Sequence, residues 1–178
     1  MDFGAIAQAI QNTDFFTAMR ESSLVYPIVL SSHLMTLGIF GGMILATDLR
    51  LLGWALKSMS ITDVIRATRI WKRIGFVIMI SLGILLGGAK LYNYYDNPYF
   101  QIKMSLLALV LIHQLVFRRS VYQNTEQLDQ MSETPRVAKV AAITSMILWV
   151  GILSMGRWIA YYERPGDFRA FVQHVIVR

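Results

Sequence analysis

Residues Ile74–Leu86 read IGFVIMISLGILL, with one hydroxyl at Ser81 and no charged side chain. A helix on a water-facing surface shows polar residues every third or fourth position, whereas this stretch is apolar on every side, as contact with lipid requires. Continued outward, the run covers Ile74–Tyr92, and three more runs of the same character lie at Leu24–Ala46, Phe100–Phe117 and Val137–Tyr161. Each has roughly the 17–25 residues that a helix rising about 1.5 Å per residue needs to cross a hydrocarbon core of about 30 Å. The chain of 178 residues is 55% hydrophobic, and its charges gather between the runs. These features predict an all-α protein, a four-helix transmembrane bundle forming a single membrane domain over residues 1–178. A soluble four-helix bundle is the weaker alternative.

The chain has no cysteine, which excludes disulfide stapling, thiolate metal ligation and thiol–disulfide exchange. Its net charge of +6 comes from cations clustered at helix ends rather than along one amphipathic surface, so no nucleic-acid partner is expected. Ten of them (Arg50, Lys57, Arg66, Arg69, Lys72, Arg73, Arg118, Arg119, Arg136 and Lys139) fall between the first and second or the third and fourth runs, against seven elsewhere. By the positive-inside rule both termini face outward, which in a bacterium places the protein in the inner membrane with periplasmic termini. Tyr92, Tyr94, Tyr95, Tyr99, Trp158, Tyr161 and Tyr162 gather at the same outer boundary as half of an interfacial aromatic belt. Ahead of the first run, Phe3, Ile6, Ile10, Phe15, Phe16 and Met19 recur in polar sequence, which predicts a short amphipathic helix lying on the outer leaflet. The first 20 residues lack the basic and continuously apolar regions of a cleavable signal peptide.

Helix ends and packing faces are also legible. Ser60 or Thr62 is placed to cap a short helix over Val64–Trp71 that runs into the second span, and Asn97-Pro98 marks the turn before the third. Pro27 falls in a first turn, where a missing donor costs nothing. Gly38 with Gly42 and Gly83 with Gly87 follow the small-xxx-small spacing of closely packed membrane helices, and Ala141, Ser145 and Gly151 offer the fourth span a similar face.

Two histidines lie inside the apolar runs, where an ionisable ring is costly and functional by default. His33 is nine residues past Leu24 and His113 thirteen past Phe100. On two helices running the same way, that is a nominal depth difference of about 6 Å, which an ordinary tilt of about 20° absorbs. Paired imidazoles at one depth on facing helices are the arrangement that grips a haem iron from both sides. Tyr26, Leu30, Leu37 and Phe40 share the face of His33, and Leu106, Leu109, Val110 and Phe117 that of His113. The candidate cofactor site is therefore haem b with His33 and His113 as metal ligands, Lys90 and Arg157 at the propionates, and Arg20 as a third cation. Interhelical hydrogen bonding by each histidine and a proton or quinone site are the competing readings.

Other polar residues read as structural. Asp48 and Arg50 suit an interfacial ion pair or helix-end cap, Glu21 an N-terminal capping cluster with Ser22 and Ser23, and His174, Glu163 and Asp167 near Arg164 a solvated tail. No nucleophile elbow, phosphate-binding loop, paired carboxylates or metal-spaced cluster is present, so no catalytic residue is assigned.

The strings Glu21–Pro27 (ESSLVYP), Asp48–Gly53 (DLRLLG) after His33, Asn97–Met104 (NPYFQIKM) and Gly156–Tyr162 (GRWIAYY) together resemble an uncharacterised family of bacterial four-helix membrane proteins of unknown function. The chain also has a distant similarity to b-type cytochromes and copper-resistance-type membrane domains, which bind haem through helix-borne histidines. The family pattern has a histidine just after the Val-Phe of the third helix, where this chain has Arg118, so the resemblance carries over for His33 alone. The resulting expectation is electron transfer in the lipid bilayer through haem b, with a quinone, a periplasmic cytochrome or a larger membrane complex as partner. The alternatives are a non-redox subunit that packs against a complex or oligomerises, and a small-solute or proton carrier.

Overall fold

A computed structural model describes residues 2–131 and 133–162; His174, Glu163, Arg164 and Asp167 lie outside the described residues. The described residues are helical, without strands: α1 (Phe3–Gln11), α2 (Asp14–Glu21), α3 (Val25–Leu51), α4 (Ile61–Ala89), α5 (Leu91–Tyr94), α6 (Pro98–Phe117), α7 (Thr125–Gln130) and α8 (Arg136–Trp158). A π-helical turn, Arg118–Tyr122, extends α6, and a 3-10 turn, Ile159–Tyr161, closes α8. Helices α3, α4, α6 and α8 are long and apolar enough to cross a membrane, and the chain is a multi-pass membrane protein.

Helices α4 and α6 start where the sequence supplies a side-chain partner for orphan backbone amides. Asn97 Oδ1 accepts from the amides of Tyr99 and Phe100 at 3.0 and 3.3 Å, with Pro98 as the first residue of α6. Ser60 Oγ accepts from Asp63 N at 2.9 Å, so the expected cap is Ser60. From there α4 runs unbroken for 29 residues, about 43 Å at the usual rise. It begins 13 residues before the apolar run, because Arg66, Arg69, Lys72 and Arg73 sit on a helix protruding beyond the hydrocarbon core and not in a loop. Helix α3 ends in a Schellman motif. Gly53 is left-handed at φ 72°, its amide donates to Arg50 O at 3.0 Å, and that of Trp54 donates to Leu49 O at 3.0 Å.

Asp129 on α7 adds a second cap to α4, accepting from the amides of Ile61 and Thr62 at 2.6 and 3.0 Å. Partial burial pushes this carboxyl up, but contact with Thr62, the two amides and Arg50 together outweigh that and hold it below the usual carboxylate range. A lowered native value means stabilisation that is complete above about pH 4 and lost as pH falls towards that value. Asp129→Asn is expected to cost about 1 kcal/mol at neutral pH and to flatten the acid limb of a thermal-unfolding series in detergent. An unchanged acid limb would show that the cap carries no stability.

The spans pack side by side in the order α4, α3, α8, α6, and α4 and α6 make almost no contact, so the bundle is a trough open along one side. Close approach comes from small residues on α8: Ala138, Ala141, Ala142 and Ser145 are all buried. The expected glycine pairs do not play this part. Gly38, Gly42 and Gly87 face open space, and Gly83 meets only His33. Matching the spacing was not enough, because a wide groove separates Gly38, Gly41 and Gly42 from Met146, Val150 and Leu153 of α8, and no helix closes on the glycines there. The close-packed apolar core, including Leu51, Ile61, Ile65, Val121 and Leu128, lies at the end where α7 caps the bundle, here termed the basic end.

At the opposite, terminal end, the expected single amphipathic helix is two short ones folded onto α4 and α5. Arg20 donates to the carbonyls of Gln11 and Ala89 at 3.2 and 3.1 Å, Gln11 Oε1 accepts from Tyr92 N at 2.9 Å, and the ring of Phe16 packs directly on Gly88. The aromatic residues there pack on one another, Tyr94 stacking on Phe100 and Tyr99 meeting both Trp158 and Tyr162 edge-on.

Candidate functional site

The two intramembrane histidines are not brought together. Phe40 sets a common level, since its ring meets Gly75 of α4 and stands 5.5 Å from Trp149 of α8. His33 is seven residues from Phe40 towards the terminal end, about 10 Å, with Cε1 against Gly83. His113 donates from Nε2 to the carbonyl of Ala141 at 2.9 Å, and Ala141 is eight residues from Trp149 towards the basic end, about 12 Å. The rings thus lie on opposite sides of the Phe40 level. A single iron needs both nitrogens within bonding distance of one point, which these positions do not provide.

The nominal depths misled because α6 sits further towards the basic end than its first apolar residue suggests. His113 is 6% exposed, its ring centroid is 4.8 Å from that of Phe117, and the interhelical hydrogen bond is the role this geometry gives it. His33 differs: its Nδ1 is buried without a hydrogen-bond partner, and Lys103 of α6 is near enough to act on the ring electrostatically.

The cations assigned to propionates are engaged elsewhere. Lys90 Nζ stands 4.9 Å above the Tyr26 ring, the Arg157 guanidinium 4.9 Å above the Tyr161 ring, and Arg20 closes the end of α4 as described.

The open side of the trough forms a cavity of about 580 Å³ between α4 and α6, floored by α3 and α8. That volume falls in the range of small-molecule sites, about 300–1,000 Å³. Its lining changes along the helix axes. Towards mid-membrane it is apolar, with Phe40, Ile44, Phe76, Met79, Leu107, Val110, Leu111 and Trp149; towards the basic end it is polar, with Thr47, Asp48, Lys72, Gln114 and Tyr122. Three arginines, Arg69, Arg73 and Arg118, stand exposed at the rim.

Asp48 is the deepest polar group, 2% exposed. Ser145 of α8 supplies a hydrogen bond to its carboxyl, while its Oδ2 is buried without a partner. Lys72 reaches in from α4 and donates to Thr47 Oγ1 at 3.0 Å, and Tyr122 pairs with Gln114.

The expected Asp48–Arg50 pair does not form. Residues two apart on a helix point to nearly opposite sides, and Arg50 Nε donates to Met59 O in the following loop at 2.7 Å. The missed signal was periodicity across the apolar boundary. Ile65, Arg69, Lys72, Phe76, Met79 and Ile80 follow the i, i+3, i+4 rule, so polar and apolar cavity residues share one face of α4.

Fold and site together define a four-span helical membrane protein with a lipid-side cavity whose polar floor lies at the basic end. The chain belongs to DUF6644, a family of unknown function, whose sequence profile matches residues 20–162. None of the curated proteins and none of the solved structures compared with the chain matches it.

Proposed function

We propose that the protein takes an amphiphilic molecule from the bilayer through the gap between α4 and α6 and holds it with its head at Asp48 and Lys72 and its tail along the apolar walls. The observation that carries this reading is the gradient inside one cavity, apolar at mid-membrane and polar at the basic end, which has the polarity profile of a membrane-dissolved amphiphile. With the basic end on the cytoplasmic side of a bacterial inner membrane, as its cation excess favours, the head group would sit at the cytoplasmic interface. The test is organic extraction and mass spectrometry of protein purified in mild detergent. A stoichiometric amphiphile is expected from the wild type; none above the detergent background would overturn the reading.

Haem b with electron transfer is the second reading, favoured by one observation: His33 is an ionisable ring inside a span, and its buried Nδ1 is not tied up in a hydrogen bond within the chain. It requires a second ligand from another protein, such as a larger membrane complex or a cytochrome, because His113 is bonded to Ala141. Its expected signature is a Soret band after haem reconstitution that is lost in His33→Ala and unchanged in His113→Ala. A colourless reconstituted protein would end it.

A further inference from the structure

We infer that the head group in the cavity is a quinol, a neutral ring carrying a hydroxyl donor on one side and an acceptor oxygen on the other. The inference rests on the cavity reading above. It starts from Asp48, which is 2% exposed, lines both this cavity and the groove between α3 and α8, and leaves Oδ2 buried without a donor, a lack that a ligand hydroxyl would make good. Across the polar floor stands Lys72, an ammonium with three N–H groups, of which the structure commits one to Thr47. The floor therefore offers an acceptor on one wall and donors on the other.

Hydrogen-bonding capacity narrows the class. The floor sets an acid, Asp48, against a base, Lys72, which lies among the exposed arginines of the rim. A fatty-acid carboxylate or a phosphate would pair with Lys72 but bring only acceptors to Asp48, and an ammonium head would pair with Asp48 but bring only donors to Lys72. A head carrying both a donor and an acceptor meets neither mismatch. A quinol satisfies both walls at once through its two para oxygens, and its hydrophobic tail extends along Ile44, Met79 and Val110.

The test is calorimetric titration of the full-length protein in detergent with a decyl benzoquinol, the corresponding quinone, lauric acid and a monoacylglycerol. Binding of the quinol at least tenfold tighter than the other three is expected, with Asp48→Asn weakening it about tenfold and the quinone less than threefold. Lys72→Met should weaken both about tenfold and, being partly exposed, serves if the Asp48 variant fails to fold.

Equal affinity for quinol and quinone, tighter binding of lauric acid or monoacylglycerol, or an unaffected Asp48→Asn would each overturn the assignment while leaving the cavity reading intact. If no probe binds, or binding ignores bulky side chains placed in the cavity by Leu107→Trp/Leu111→Trp, the cavity reading itself fails and takes this inference with it.

Discussion

Replacing His113 with alanine is expected to lower the stability of the bundle by about 3 kcal/mol, the scale of a buried ring removed from a packed site together with its hydrogen bond. The ring is 6% exposed, packs on Phe117 and joins α6 to α8 through the Ala141 carbonyl. Lipid is as apolar as the tails it replaces, so contacts of this kind, not expulsion of water, hold membrane helices together. The loss is read as a fall in the unfolding midpoint in detergent or in the amount of denaturant tolerated. Amphiphile binding should stay within about twofold, because the His113 side chain turns to the Ala141 carbonyl of α8 and is not among the residues lining the cavity. A stable His113→Ala protein that no longer binds ligand would reverse the assignment and restore His113 as a functional group.

The second large effect is expected from Leu107→Trp/Leu111→Trp. These residues are one turn apart on the α6 wall of the cavity, so the two indoles stack along the same face and fill the space where a tail would run. Since α4 and α6 make almost no contact, the rings can be accommodated without prying packed helices apart, and the stability change should stay near 1 kcal/mol. Loss of at least nine-tenths of the co-purifying amphiphile is expected, which from near-full occupancy is about a hundredfold drop in affinity or 2.8 kcal/mol. Ile112→Trp is the control. Ile112 is 53% exposed and absent from the cavity lining, so its substitution should leave the bound amount unchanged. Equal retention by the double variant and the control would place any bound amphiphile on the lipid-facing surface.

The four spans were legible because their signal is local. Ile74–Leu86 contains no position where a water-facing helix could show itself, and hydrocarbon leaves a spanning segment little choice but a helix. The caps at Ser60 and Asn97 were legible for the same reason, since a side chain and the amides it serves lie within three residues. The site was not. Depth counted from the first apolar residue put His33 and His113 together, yet α6 begins at Pro98 and slides along α8 to a register set by Leu106 against Gly151 and His113 against Ala141. The glycine spacing on α3 was equally real, and equally unable to say that α8 would stand off from that face across a groove.

By itself, then, the sequence determined that this is an all-helical chain with four membrane spans, where two of those helices start and which end collects the cations, all consequences of residues acting on near neighbours and on the solvent around them. Only the tertiary structure decided that α4 and α6 stand apart, that Asp48 turns away from Arg50 towards Ser145, and that Lys72 meets Thr47 across the trough. Such facts depend on the axial offset and rotation of whole helices. Both are fixed by small residues such as Ala141, which admit a neighbour at one height and angle and not at the next.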